Sequence, residues 1–296
     1  MAEDTNSSSP PEAGAEKSEG RPVDAPADRM GNQPQRVDGG AWYVTSQGRY
    51  FVPDRPALNG TPSPPGLLMS LLYAFAAFVL LQLPSLSAFV WRLPEHPGNP
   101  ADMTLKQEPY GAEAAAYFLV GTLLAVGFIF RILRARNCNF LDYMALRSFN
   151  LNGLGWALLS YLSYFLLSAG ISKLIGYEPD STYVERMWET RGSVLLVFLG
   201  LSVAPAIVEE LIFRGLLFEG FRKSIGVTWA IVVPSLLWAV VHIQYDILTM
   251  CFLMALGICL GLIRHKTGSL YWCIGVHALN NTLVFGWQWL KEIGSL

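Results

Sequence analysis

Seven apolar runs of membrane-spanning length follow one another from Gly66 to the C-terminus, at about residues 66–91, 113–131, 153–175, 193–221, 226–244, 247–264 and 269–290. A bilayer core requires ~20 consecutive apolar residues per helical span, and every backbone polar group inside it must be satisfied by the protein. The runs are continuously apolar instead of alternating, which excludes a transmembrane β-barrel. The fold expected is therefore all-α, a polytopic transmembrane helical bundle of about seven spans. An eighth is open within the long fourth run, which Glu209, Glu210 and Arg214 interrupt.

Composition agrees: hydrophobic residues make up 52% and charged residues 15%, although the first fifth of the chain is polar. A net charge of −2, with no basic stripe interleaved with aromatics, gives no reason to expect a nucleic-acid partner. The four cysteines lack CxxC spacing, and Cys251, Cys259 and Cys273 fall in apolar stretches where cysteine packs as a small hydrophobe. No basic segment followed by an apolar one opens the chain, so no cleaved signal peptide is expected and insertion uses the first span.

Residues 1–62 are rich in Pro, Gly, Ser, Ala, Asp and Glu, a composition that buries too little apolar surface to offset ordering entropy, and are read as a disordered cytoplasmic tail. Within it, Ala41-Trp42-Tyr43-Val44 and Arg49-Tyr50-Phe51-Val52-Pro53 flank Ser46-Gln47-Gly48. They read as a small hairpin, an interfacial contact or a sticky linker without enzymatic role. Residues 63–296 form the transmembrane domain.

Arg131, Arg134, Arg136 and Arg147 crowd one connection, Arg222 and Lys223 the next on that side, and Arg264 and Lys266 the third. This bias predicts a cytoplasmic N-terminus and an outward C-terminus in a cell membrane. Phe140–Arg147, too short to span and of mixed polarity, is expected along the cytoplasmic interface. Gly257 and Gly261, four apart, permit close helix approach in the sixth span.

Ionisable groups at membrane depth cost about 2.5 to 3.5 kcal/mol each for Asp, Lys or Arg on insertion scales, so they face one another or a wet cavity. The run Ala204-Pro205-Ala206-Ile207-Val208-Glu209-Glu210-Leu211-Ile212-Phe213-Arg214 concentrates them. Glu210 and Arg214, four apart, share a helix face, while Glu209 is turned about 100° away. His242 ends the fifth span, with Trp238 one turn before it, and His277 and Asn281 repeat the four-residue spacing in the seventh. At ~1.5 Å per residue from the turn near Gly226, Glu209 and His242 reach similar depths; His277 starts shallower and needs a tilt or kink to join them.

Glu209-Glu210-xxx-Arg214, Trp238-xxx-His242 and His277-xxx-Asn281, in this order on successive helices, resemble the CPBP family of intramembrane proteases. That family includes CAAX prenyl endopeptidases and bacteriocin-immunity proteins, and its pattern is EExxxR, FxxxH and HxxxN. The resemblance covers about residues 140–290, with Trp238 standing where the family has Phe. It implies that Glu209 with His242 activates water, that His277 and Asn281 donate to the developing oxyanion, and that Glu210, Arg214 and Trp238 give structural support. A metal-independent mechanism is favoured, while Glu209, His242 and His277 also make up a three-ligand set of the type zinc accepts. The partners implied are the lipid bilayer and a membrane-associated protein or peptide substrate, which for some relatives is lipidated.

Two other functions compete. A transporter would use membrane carboxylates and histidines as a relay, but it predicts inverted repeats that the sequence does not display. A catalytically idle scaffold or self-immunity protein would have no need to retain Glu209, His242, His277 and Asn281.

Overall fold

The computed structural model describes residues 35–37, 40–45, 48–53, 61–91 and 111–294. The chain divides into two compact units, Met1–Asp54 and Arg55–Leu296. In the first, β1 (Gln35–Val37), β2 (Gly40–Thr45) and β3 (Gly48–Pro53) form an antiparallel sheet in the order β1-β2-β3. Trp42 pairs with Phe51 and Tyr43 with Tyr50, which is the hairpin register that the two aromatic runs allow. This stretch of the polar tail thus has regular structure; the remainder of residues 1–34 and 54–60 lies outside the described residues.

The second unit contains nine helices among its described residues. They are α1 (Leu67–Trp91), α2 (Gly111–Ala135), α3 (Phe140–Tyr143), α4 (Leu151–Ile175), α5 (Thr182–Glu189), α6 (Val194–Ile225), α7 (Val227–Val240), α8 (Ile247–Thr267) and α9 (Leu270–Glu292). Each apolar run read from the sequence is one of these helices. Five of them, α1, α2, α4, α6 and α8, are long and apolar enough to cross a membrane, fewer than the seven expected. At 14 residues α7 extends only ~21 Å, short of a bilayer core. Helix α9 has the length but carries His277, Asn280, Asn281 and Gln288 along it. The long fourth run is one continuous helix of 32 residues, so it contains no eighth span.

Helix α6 is the centre of the bundle. Its residues Val208, Leu211, Ile212, Leu216 and Leu217 are all buried, whereas α4 turns most of its leucines outward. It is not uniformly α-helical: π-helical turns at Leu199–Val203 and Leu211–Leu217 bracket the α-helical stretch Ala204–Glu210. Pro205 has no N–H to donate one turn back, which accounts for a break in the ladder beside Val203. Widened turns of this kind gather at functional sites, and here the two glutamates lie between them while Arg214 lies in the second.

The connection after α2, expected along the cytoplasmic interface, seats one of its residues in the bundle. Asn139 caps a helix of only four residues, its Oδ1 accepting from the N–H groups of Leu141 (3.0 Å) and Asp142 (3.3 Å). The chain then turns inward, burying Met144 completely against Gly215 of α6. Leu270 N–H donates to the Ala145 carbonyl at 2.8 Å and Ser269 Oγ to the Arg147 carbonyl at 2.8 Å, fastening this corner to the start of α9. Residues 92–110, which hold Arg92 and Lys106, lie outside the described residues.

Candidate active site

The two adjacent glutamates of α6 point to different surroundings, as helix geometry requires. Glu210 is fully buried, and its Oε1 accepts from Arg214 Nη1 at 2.8 Å. A guanidinium at this depth needs its remaining donors satisfied. Arg214 Nη2 donates to the Gly257 carbonyl of α8 at 3.1 Å, and the guanidinium lies 4.9 Å from the centre of the Trp238 ring. Gly257 makes this possible, since a Cβ there would stand 2.9 Å from Ser235 Cβ of α7 and 3.2 Å from Arg214 Nη2. The Gly257/Gly261 pair therefore seats α7 against α8 and opens a carbonyl to Arg214. Arg264, also buried, donates from Nε to the Arg214 carbonyl at 3.2 Å.

Glu209 is only partly buried and faces a cavity of about 1690 Å³ whose lining also includes Trp238, His242, Tyr245, His277 and Asn281. Trp238 Nε1 donates to Glu209 Oε2 at 2.5 Å. The Trp238 carbonyl faces His242 Nδ1 at 2.7 Å, and because a carbonyl only accepts, Nδ1 carries the proton. In neutral His242 the lone pair is thus on Nε2. The Trp238 ring makes edge contacts with both His242 (centroids 5.0 Å apart) and His277 (5.3 Å).

His277 is 2% exposed, and its Nδ1 lies 3.0 Å from Glu210 Oε1, the oxygen that Arg214 also holds. The partner of His277 is thus on another helix, α6. Asn281 lines the same cavity, and its Oδ1 accepts from Asn280 Nδ2 at 3.4 Å. Asn280 Oδ1 in turn accepts from Tyr161 of α4 at 3.2 Å.

Two tyrosines complete the wall. Tyr245 stacks on His242 with rings 13° apart and centroids 6.3 Å apart, and Tyr183 of α5 meets Tyr245 edge-on at 6.2 Å. Burial raises the pKa of both hydroxyls above the ordinary tyrosine value, and the charge of Glu209 adds to it. Both therefore remain protonated donors. The position of Tyr245, three residues after His242, is a local signal, but nothing in the sequence ties Tyr183 to the site.

Among the described residues, no three of His, Cys, Asp and Glu are grouped so as to hold a metal ion.

Residues 191–283 match the family model described as Rce1-like, type II CAAX prenyl endopeptidase Rce1-like. This segment resembles that family. It contains all three motifs read from the sequence, from Glu209 to Asn281, and it contains the whole set of side chains gathered around Trp238. Neither a curated protein nor a solved structure matches the chain. Residues 191–283 are thus similar to a family of CAAX endopeptidases, within a chain that has five described helices long and apolar enough to cross a membrane.

Proposed function

We propose that the chain is an intramembrane endopeptidase that hydrolyses peptide bonds of membrane-associated substrates with water activated by Glu209 and His242. The observation that carries the reading is that a partly buried carboxylate of α6 and two histidines, one in the turn after α7 and one on α9, surround one indole at the wall of a large cavity.

The Glu209 carboxylate has one oxygen occupied by Trp238 and one left to accept a proton from water. The water oxygen attacks the scissile carbonyl carbon, and the carbonyl electrons move onto oxygen. Donation from His277 Nε2 to that oxyanion requires both ring nitrogens protonated, since Nδ1 already faces Glu210; Asn281 Nδ2 is the second donor. Collapse breaks the C–N bond, and the proton returns to the departing amine nitrogen through Glu209 or His242 Nε2. No step uses a metal. We further assign the cell membrane with the N-terminus cytoplasmic, and a polypeptide substrate without nucleic acid.

The test is Glu209→Gln in detergent-solubilised protein. The amide keeps the shape but cannot take the proton, so cleavage of a peptide substrate should fall by about 10²- to 10⁴-fold while substrate binding and melting are retained. Full turnover in this variant would rule out Glu209 as the base.

A further inference from the structure

Trp238 stands where the family pattern has Phe, and what the indole adds is a fused second ring and one N–H group. That group ends on Glu209 Oε2 at 2.5 Å. We infer that Trp238 is a positioning residue for Glu209, selecting which carboxylate oxygen is free to meet water; this rests on the proposed role of Glu209 as base.

A carboxylate on a flexible side chain can present either oxygen to a cavity. An N–H fixed on one of them removes that choice, provided the donor is itself immobile. Trp238 is 1% exposed, on the short helix α7, and is held on several sides. The edge contact with His242 is inclined at 70° and that with His277 at 82°, while the Arg214 guanidinium lies over the ring at 4.9 Å. The Trp238 carbonyl also fixes the His242 ring through Nδ1. One residue therefore sets Glu209 of α6 relative to both histidines, from its side chain and its backbone together. Phe at this position would leave Oε2 without this donor and place a smaller ring against the histidines, which is why an analogue of unchanged ring volume is needed beside it. Misplacing a reacting group by about an ångström costs on the order of 10²-fold in rate, so a bond of this kind acts on turnover more than on affinity.

A buried indole N–H generally finds some acceptor, so the bond could serve packing alone. The two roles differ in what the kinetics register. In Trp238→Phe, kcat should fall by about ten- to a hundredfold with KM nearly unchanged. The tryptophan analogue carrying sulfur in place of the ring N–H, introduced at position 238, should reproduce that loss with the ring volume kept. Unchanged kcat in both would overturn the inference. A second measurement leaves Trp238 intact. Among the indole N–H resonances of the nine tryptophans, the one missing in Trp238→Phe, or in the sulfur analogue, should move in Glu209→Ala. If it stays in place, the bond is absent in solution and the inference fails. Failure of the underlying reading has a different signature: Glu209→Gln would then turn over normally, whereas an inactive Glu209→Gln beside a fully active Trp238→Phe rejects the positioning role only.

Discussion

Glu210 Oε1 and Arg214 Nη1 meet at 2.8 Å with both side chains sealed from solvent, 0% and 1% exposed. Removing one member leaves the other charged in low dielectric, an effect of about 3 to 5 kcal/mol for buried pairs. Glu210→Ala and Arg214→Ala should each lower melting temperature and yield sharply in detergent. The exposed pair Lys291–Glu185, also near 3 Å, is the contrast. Solvent screening and side-chain entropy hold such pairs to about 0 to 1 kcal/mol, so Lys291→Ala should melt almost as the parent does. Equal losses in all three variants would contradict the burial argument.

Gly257→Val tests the seat of that ion pair from the opposite helix. A Cβ at this position already stands 2.9 Å from Ser235 Cβ and 3.1 Å from its Cα, so the branched side chain must push α7 from α8. Overpacking typically costs about 1 to 3 kcal/mol. The same shift lengthens the Arg214 bond to the Gly257 carbonyl, so thermal melting should fall and turnover with it. Gly155 has open space around its Cα, and Gly155→Ala serves as a control with unchanged melting.

The sequence makes the helices legible because spanning runs have a fixed minimum length, and all seven are present. It overstates the number that qualify as spans, since a run can be apolar yet only 14 residues once Gly226 and the turn after Val241 trim it. Four-residue spacing finds the Glu210–Arg214 pair correctly, because both partners lie on one helix. The hydrogen bond of His277 crosses to Glu210 on α6, a contact that spacing within one helix cannot show. The bond from Trp238 to Glu209 was missed for a related reason: a motif position occupied by an aromatic reads as packing, and its one polar atom becomes meaningful only when another helix supplies an acceptor.

Orientation is tested independently of chemistry. Arg131, Arg134 and Arg136 end α2 or follow it directly, and Arg147 lies in the corner leading to α4. Such a cluster in a short connection is retained on the cytoplasmic side. A reporter fused after residue 140 should therefore report the cytoplasm, and one near residue 100 the exterior. The reverse pattern would invert the membrane assignment while leaving the site geometry intact.

Chelation separates the glutamate mechanism from a zinc one. A three-ligand zinc site requires donors within about 2.0 to 2.2 Å of a shared point, each with a lone pair aimed at it. His242 Nδ1 is committed to the Trp238 carbonyl and His277 Nδ1 to Glu210, while Glu209 Oε2 is taken by Trp238. Only the outer atoms, His242 Nε2, His277 Nε2 and Glu209 Oε1, remain to converge, and no three such groups are clustered for a metal ion among the described residues. Activity should therefore persist after exhaustive chelation and dialysis, and elemental analysis of the active protein should give well below one zinc per chain. Loss of turnover on chelation, restored by one equivalent of zinc and abolished in His242→Ala together with the metal content, would replace the glutamate base with a metal-bound hydroxide and would require these side chains to rearrange on binding.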